Sequence, residues 1–274
     1  MLRQAYLSLV IYILTSQLGW AQSANTDTSA SNNLLFAVAW KQTAAEYRAL
    51  YHQAFNIARL QIETAIANRA SGAGDKPLAV IADLDDTLLL SEPYWGYLVS
   101  EGIDFFNDEV WDEWIRDNLT VPSPGALAFL DYCSENNVEV FYVTNRDQGP
   151  DTYTLAMNNI TSAGFPYADE DHLTVLRDTS NKQVIQDGIR EEYDVVALLG
   201  DNLNDFSRRY YVTDVNQRSE TMEEDSALFG SQYILFPNPT DGHWIRAIFG
   251  ESEPAPTAEN RETLKEAAMH KSWD

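Results

Sequence analysis

Residues 78–87 read LAVIADLDDT, an apolar run that passes directly into acidic residues. Its first five residues are all apolar, which is typical of a β-strand that is buried on both faces. Three acidic residues, Asp83, Asp85 and Asp86, follow at the point where that strand would end. Strands that are apolar throughout occur mainly in parallel sheets covered by helices, so the stretch predicts an α/β fold.

Further short apolar runs alternate with helical segments along the chain. The predicted strands after 78–82 are 139–143, 173–176, 195–199 and 233–236. The predicted helices between them are 125–136, 151–164, 181–193 and 204–211. This alternation predicts a three-layer, Rossmann-like domain with a mainly parallel sheet.

Two segments with helical or aromatic character extend this domain. Apolar residues between positions 36 and 70 recur at spacings of three and four, which predicts one long amphipathic helix or two abutting helices, ended by Ser-Gly-Ala-Gly at 71–74. An insertion at about 91–121 is rich in Trp, Tyr and Phe and has the composition of a small cap. We interpret the aromatic stripe of the N-terminal helix, and the single cysteine Cys133, as parts of the core.

The N-terminus has the pattern of a secretory signal peptide. A singly basic start is followed by an apolar run of about 11 residues, and a bilayer crossing needs roughly 20. We therefore expect a signal peptide at 1–21, cleaved near Ala21, and a flexible leader at 22–33. Because Cys133 is the only cysteine, no thiol is available for a lipid near the cleavage site. The expected product is an exported protein, periplasmic or secreted, without a stable membrane anchor, with its main domain at 34–250 and a tail at 251–274.

The net charge limits the classes of partner. Acidic residues outnumber basic ones 42 to 18, which gives a net charge of −24. That charge repels nucleic acid polymers and anionic membranes, so polynucleotide binding is not expected. A small phosphorylated substrate would need local cations to approach. The sequence leaves the oligomeric state open, a homo-oligomer included.

Polar residues follow three of the predicted strands and should share one edge of the sheet. They are the acidic group beginning at Asp83, the run Thr144-Asn145-Arg146, and the segment 200–205, which reads GDNLND. Carboxylates without His or Cys partners favour a hard cation such as Mg²⁺. No glycine-rich phosphate loop occurs in the sequence, so phosphate would be held by the metal, Thr144, Lys182 and backbone amides.

These residues resemble a known family. Residues 83–88, which read DLDDTL, resemble the DxDx[TV] first motif of the haloacid dehalogenase superfamily, and Thr144, Lys182 and 200–205 resemble its second, third and fourth motifs. More narrowly, 81–94 and 198–206 resemble the paired signatures of class C acid phosphatases, which include periplasmic and outer-membrane 5'-nucleotidases. The segments 39–47 and 236–239, AWKQTAAEY and FPNP, are also similar.

The chain departs from the family pattern at several positions. Asp86 replaces the usual Glu, residues 90–92 are less polar than in relatives, and the lipid-bearing cysteine of some relatives is missing. Asp241 stands where the family often has a Tyr that forms one wall of its nucleotide site.

The resemblance implies a magnesium-dependent phosphomonoesterase. Asp83 would attack phosphorus to give an aspartyl-phosphate, and Asp85 would protonate the leaving alkoxide and then activate water. Thr144 and Lys182 would stabilise the phosphoryl oxygens.

The metal ligands implied by the resemblance come from the two acidic motifs. Mg²⁺ would be held by Asp83, the backbone carbonyl of Asp85 and Asp201, while Asp205 orients the metal shell.

The sequence favours nucleoside 5'-monophosphates among small phosphate monoesters, because the aromatic insertion offers rings for base stacking. The candidate rings are Tyr94, Trp95, Trp111 and Trp114, with packing inside the cap as the alternative, and Asn145 is a further substrate-binding candidate. Two other functions remain open at this point: a non-enzymatic binding or storage protein, and a phosphotransferase or mutase on the same scaffold.

Overall fold

The structure is a computed structural model that describes residues 32–70 and 76–273. The predicted signal peptide, most of the leader and the turn at 71–74 lie outside the described residues. The strands are β1 (Leu78–Ala82), β2 (Leu89–Leu90), β3 (Val121–Pro122), β4 (Val138–Asn145), β5 (Leu173–Leu176), β6 (Asp194–Gly200) and β7 (Tyr233–Leu235). The α-helices are α1 (Leu35–Thr43), α2 (Ala45–Ala70), α3 (Glu92–Ser100), α4 (Asp108–Arg116), α5 (Ala126–Glu135), α6 (Thr152–Ser162), α7 (Gln183–Glu192), α8 (Val215–Glu224), α9 (His243–Phe249) and α10 (Ala258–Ala268).

The main sheet of the described part has five parallel strands in the order β5-β4-β1-β6-β7. The predicted strands are therefore confirmed, and β1 lies at the centre. Alternate residues of β1 point to opposite faces, as strand geometry requires. Val80 packs in the core on one side with helices α2, α5 and α6, whereas Ile81 packs on the other side with α7. The sheet is thus the middle of the three predicted layers.

The N-terminal extension forms two abutting helices. Ala44 has an extended backbone with ψ of 124° between α1 and α2, which ends the first helix. The aromatic stripe of α2 faces the sheet: Tyr47 and Tyr51 are fully buried, and the ring of Tyr51 lies 5.3 Å from that of Phe236. The interpretation of this stripe as core is confirmed, and so is the interpretation of Cys133, which is fully buried on α5.

The aromatic insertion forms a cap with its own core. Strands β2 and β3 pair antiparallel at its base, and α3 and α4 lie between them. The two helices pack Tyr94, Trp95, Trp111 and Trp114 into one core, with Tyr94 at the centre, 5.0 Å from Trp111 and 6.1 Å from Trp114 between ring centroids. The cap is therefore held together by aromatic packing.

The predicted helix 204–211 was wrong. Two 3₁₀ turns, Leu203–Asp205 and Arg208–Tyr210, take its place. Asn202 and Asp205 form a capping box that satisfies the first turn locally, and Ser207 then adopts an extended backbone that interrupts the helix.

The tail at 251–274 contains helix α10 and packs on the body of the protein. Arg261 makes two hydrogen bonds, of 2.7 and 2.9 Å, to the buried carboxylate of Asp104 in the cap. Among the described residues, no helix combines the length and apolar character that crossing a bilayer requires.

Candidate active site

The carboxyl ends of three neighbouring strands, β4, β1 and β6, bring the sequence-predicted residues together. Asp83 follows β1 and its backbone N–H donates to the carbonyl of Leu199 at 2.9 Å, which continues the sheet ladder by one residue. Thr144 lies near the end of β4, and Asp201 follows the last residue of β6. Adjacent parallel strands end at the same edge, so their terminal side chains converge.

Three carboxylates at this edge form a group suited to a divalent cation. One oxygen from each of Asp83, Asp201 and Asp205 lies within 4.8 Å of the other two. Burial raises the pKa of Asp83 to about 7. The charge of Lys182 opposes this shift, and the carboxylates of Asp205 and Asp85 add to it. Burial and the carboxylates of Asp205 and Asp83 raise the pKa of Asp201 well above its usual range. A bound cation would relieve this repulsion, and the all-oxygen donor set fits Mg²⁺.

Lys182 connects two members of this group. Its Nζ lies 2.5 Å from Oδ1 of Asp83 and 2.8 Å from Oδ1 of Asp205, and all three side chains are nine-tenths or more buried. Burial disfavours the charged ammonium, but Asp205 and Asp83 outweigh burial and raise the pKa of Lys182 above its ordinary value. The lysine stands directly before α7, where the chain enters the site.

Gly200 makes room for Asp205. A Cβ at position 200 would collide with the side chain of Asp205, including its carboxylate. Asp205 is held from its own side by the backbone N–H of Asn202, which donates to Oδ2 at 3.0 Å. A residue without a side chain is therefore required where β6 ends.

A cavity of about 200 Å³ opens beside the carboxylates. The hydroxyl of Thr144 lines it, is buried, and has no hydrogen-bond partner among the described residues. Asn145 also lines the cavity and donates to the carbonyl of Thr179 at 2.9 Å. An unpaired buried hydroxyl in the same cavity as Lys182 is suited to an oxygen of a bound phosphoryl group.

Asp85 also faces the cavity, but its side chain is engaged by Arg146. The Nε and Nη2 atoms of Arg146 donate to the two carboxylate oxygens of Asp85 at 2.7 and 2.6 Å, and Nη1 donates to Asn159 at 2.6 Å. Sequence reasoning named Arg146 as a strand-end residue without a role. Its position after β4, the neighbour of β1, was the signal that could have paired it with Asp85.

The aromatic candidates divide into two groups. Trp95 and Trp111 line the cavity, together with Phe106. Tyr94 and Trp114 are absent from its lining within the described residues, and both are buried in the cap core. The indole N–H of Trp95 donates to Oγ of Ser91 at 3.0 Å, which fixes that ring in the wall. The geometry therefore offers Trp111 and Trp95, and not Tyr94, to a bound molecule.

Two further acidic side chains, Asp241 and Glu253, line the same space. The resemblance had already put Asp241 at a wall of the site, whereas sequence reasoning missed Glu253. Burial raises the pKa of Asp241 to about 6, and burial followed by the carboxylate of Asp108 raises the pKa of Glu253 to about 7. Glu253 comes from the tail, to which the sequence assigned no function. No local motif around 253 could have revealed this contact, because the tail returns over the cap.

His243, one of four histidines without ligand spacing, also reaches the cavity wall. Burial and the nearby charges of Arg218 and Lys182 lower its pKa to about 3. Its Nδ1 lies 3.3 Å from Nδ2 of Asn202, and its ring packs 4.9 Å from that of Tyr211. His243 is therefore a neutral, packed residue.

The arrangement of carboxylates, lysine and threonine at one sheet edge can be compared with known proteins. Residues 10–244 match the model of the HAD superfamily, subfamily IIIB (acid phosphatase). The chain belongs to this family. It is thus a class C acid phosphatase of the haloacid dehalogenase superfamily, and an enzyme that hydrolyses phosphate monoesters, as the resemblance predicted.

Two solved structures agree with this assignment. The class C acid phosphatase from Bacillus anthracis with tungstate bound superposes with a TM-score of 0.79 at 28% identity, over 86% of this chain and 96% of that one. A second structure of the class C acid phosphatase from Bacillus anthracis gives the same TM-score and identity, over 89% of this chain and 98% of that one. The acid phosphatase fold therefore accounts for nearly all of the described residues.

Proposed function

We propose that this acid phosphatase is Mg²⁺-dependent and acts on small phosphate monoesters, nucleoside 5'-monophosphates among them, through an aspartyl-phosphate on Asp83. The observation that carries the proposal is the position of Asp83. Its carboxylate belongs to the group that fits a cation, is paired with Lys182, and faces the cavity lined by the unpaired hydroxyl of Thr144.

The proposed reaction has two displacements at phosphorus. An oxygen of Asp83 attacks phosphorus, and the bond from phosphorus to the leaving oxygen breaks as Asp85 donates a proton to that oxygen. Asp85 then accepts a proton from water, the water oxygen attacks phosphorus, and the bond to Asp83 breaks to release inorganic phosphate. Lys182 and Thr144 stabilise the phosphoryl oxygens in both steps. Mg²⁺, held by Asp83, Asp201 and the carbonyl of Asp85, with Asp205 orienting the metal shell, would supply positive charge to the same oxygens.

The ion pair with Arg146 sets a condition on Asp85. Both carboxylate oxygens of Asp85 accept hydrogen bonds from the guanidinium of Arg146, so Asp85 cannot donate a proton while both contacts are in place. For the proposed first step, Asp85 must release one of these contacts, take up a proton from solvent on the freed oxygen and turn it to the leaving oxygen. Arg146 keeps Asp85 pointed at the cavity before that exchange.

Substitution of Asp83 by Asn tests the proposal. An amide cannot attack phosphorus, so Asp83→Asn should lower kcat by several orders of magnitude while the circular dichroism spectrum stays unchanged. Phosphate release should be measured with 5'- and 3'-nucleotides, sugar phosphates and p-nitrophenyl phosphate, with Mg²⁺ and with a chelator. A variant that kept more than about a tenth of wild-type kcat, a change below ~1.4 kcal/mol, would show that Asp83 is not the nucleophile.

The nucleotide part of the proposal has its own test. Trp111 and Trp114 lie 5.3 Å apart in the cap core and are equally buried, but only Trp111 lines the cavity. If Trp111 stacks a base, Trp111→Ala should lower kcat/KM for a nucleotide by about 1 to 3 kcal/mol more than for p-nitrophenyl phosphate. Trp114→Ala is the matched control, because it removes the same cap packing without touching the cavity. Equal ratios for the two variants would leave cap packing as the only role of Trp111.

We also propose that the protein is exported and begins near Gln22, without a lipid. The apolar run at 5–15 and the small residue Ala21 support this. The intact mass of protein from its native host should match a chain that starts near Gln22. Retention of residues 1–21, or an added acyl mass, would contradict it.

A further inference from the structure

Four side chains beside the acidic group form a closed hydrogen-bonded ring that takes no part in the chemistry proposed above. Lys41, on α1, donates to Oδ2 of Asp86 and to Oγ1 of Thr240, both at 2.9 Å. The hydroxyl of Thr240 donates to Oδ1 of Asn238 at 2.8 Å, and Nδ2 of Asn238 donates to Oδ2 of Asp86 at 3.1 Å. The side chain of Lys41 is 0% exposed and that of Asp86 is 5% exposed.

The amide of Asn238 is fixed in one orientation by this ring together with two backbone N–H groups. Its Oδ1 accepts from the N–H of Thr240 at 3.1 Å and from the N–H of Asp241 at 3.2 Å, in addition to the Thr240 hydroxyl. Its NH₂ group must therefore face the carboxylates. One hydrogen points to Asp86, and the other to Oδ2 of Asp201 at 2.7 Å. Asn238 thus joins the ring to a member of the cation-binding group.

Asp86 is anchored on its other sides as well. Its Oδ1 accepts from the hydroxyl of Ser91 at 2.8 Å, and its carbonyl accepts from the hydroxyl of Tyr51 at 2.5 Å. Its backbone has a φ of 53°, a conformation that Asp and Asn adopt more readily than most residues. The carboxylate therefore cannot turn away without breaking several buried hydrogen bonds.

We infer that Lys41 and Asp86 are positioning residues, which orient Asn238 and through it hold Asp201 ready for a divalent cation. Lys41 and Asn238 belong to the segments 39–47 and 236–239, which are far apart in the chain but both contact Asp86 of the acidic motif. Partners that orient metal ligands typically change metal affinity by 10- to 100-fold when they are removed. The inference rests on the proposed function only in that Asp201 is taken as a cation ligand.

The effect of Lys41→Met on Mg²⁺ affinity has opposite signs if Lys41 positions Asp86 and if it acts only through its charge. Loss of a cation next to a cation site should strengthen Mg²⁺ binding if charge alone matters. If Lys41 acts by anchoring Asp86, the same substitution should weaken Mg²⁺ binding about 10-fold or more. The measurement is the Kd for Mg²⁺ alone by calorimetry, without substrate, on protein whose fold has been checked by circular dichroism.

A double-mutant cycle gives a second, independent answer. Asp86→Asn should weaken Mg²⁺ binding 10- to 100-fold, and this loss should disappear when Asn238 is already Ala, because Asp86 acts through that amide. If Asp86→Asn weakens Mg²⁺ binding equally in the Asn238→Ala background, Asp86 acts only through its charge, and the inference is overturned. The cycle also tests the positioning role of Asp86 if Lys41→Met fails to fold.

Asp104→Asn serves as a matched control. Asp104 is a buried carboxylate with two partners, Arg261 and Asn33, outside the cavity lining. It should lower the melting temperature without changing the Kd for Mg²⁺. Tighter Mg²⁺ binding by Lys41→Met would refute the positioning role and leave the proposed function intact. Absence of Mg²⁺ binding by the wild type would refute the cation site of the proposed function instead.

Discussion

Replacement of Lys182 by Met should destabilise the metal-free protein strongly. The substitution removes the ammonium that lies 2.5 Å from Asp83 and 2.8 Å from Asp205, and both carboxylates are buried. Removal of one partner of a buried ion pair typically costs about 3 to 5 kcal/mol. At about 2 to 4 °C per kcal/mol for a chain of this size, the melting temperature should fall by roughly 6 to 20 °C.

The assay is thermal unfolding in a chelator at pH 8 and at pH 5. The loss should be smaller at pH 5, because burial already raises the pKa of Asp83 to about 7 and the carboxyl can take up a proton when the ammonium is absent. Arg209→Met is the surface control: its guanidinium is half-exposed, so its salt bridges to Glu224 and Asp225 should contribute little. A fall for Lys182→Met no larger than that of the control, at pH 8, would show that the ammonium does not offset the buried charge.

Three further predictions concern the same site. Asp85→Asn should slow phosphorylation of the enzyme by a nucleotide about 10²- to 10⁴-fold. Phosphorylation by p-nitrophenyl phosphate should slow far less, since p-nitrophenolate leaves without a proton. Equal slowing with both substrates in rapid-quench experiments would argue against Asp85 as the acid. Gly200→Ala should displace Asp205 and weaken Mg²⁺ binding at least 10-fold, as measured by calorimetry. Gly188→Ala is the control, because Gly188 faces open space on α7 and its substitution should leave Mg²⁺ binding unchanged. A Kd for Gly200→Ala equal to that of the wild type would contradict the close packing of Gly200 and Asp205. In a chelator, the free energy of unfolding in urea should fall as the pH rises from about 4 to 8. The reason is the raised pKa of Asp83, because of which the folded state keeps a proton that the unfolded state releases at lower pH. A free energy of unfolding that rises over this range would contradict the prediction.

The sequence predicted the central part of the site because one rule governs it. Parallel strands end at a common edge, so Asp83, Thr144 and Asp201 could be brought together from strand predictions alone. Lys182 followed from its place between the third and fourth predicted strands together with the resemblance. The five-stranded sheet was equally accessible, since its strands are short apolar runs that carry their own signal.

The rest of the site depends on contacts that no local pattern records. The pairing of Asp85 with Arg146 spans 61 residues, and that of Lys41 with Thr240 spans 199. The division of the aromatic residues into Trp111 at the cavity and Tyr94 in the cap core depends on how α3 and α4 pack against each other. The turn after Asp201 was misread as a helix because its apolar spacing is helical, whereas its side-chain capping favours 3₁₀ turns.

In the proposed reaction, Asp83 carries the phosphoryl group. The most direct test is to quench the Asp85→Asn variant in acid during its reaction with p-nitrophenyl phosphate and Mg²⁺, and to locate the added phosphate by peptide mass spectrometry. We expect close to one phosphoryl group per chain, on the peptide that contains Asp83, with a matching burst of p-nitrophenolate, because the variant lacks the base for the second step. Turnover without a burst and without phosphate on Asp83, or phosphate attached to another residue, would contradict it.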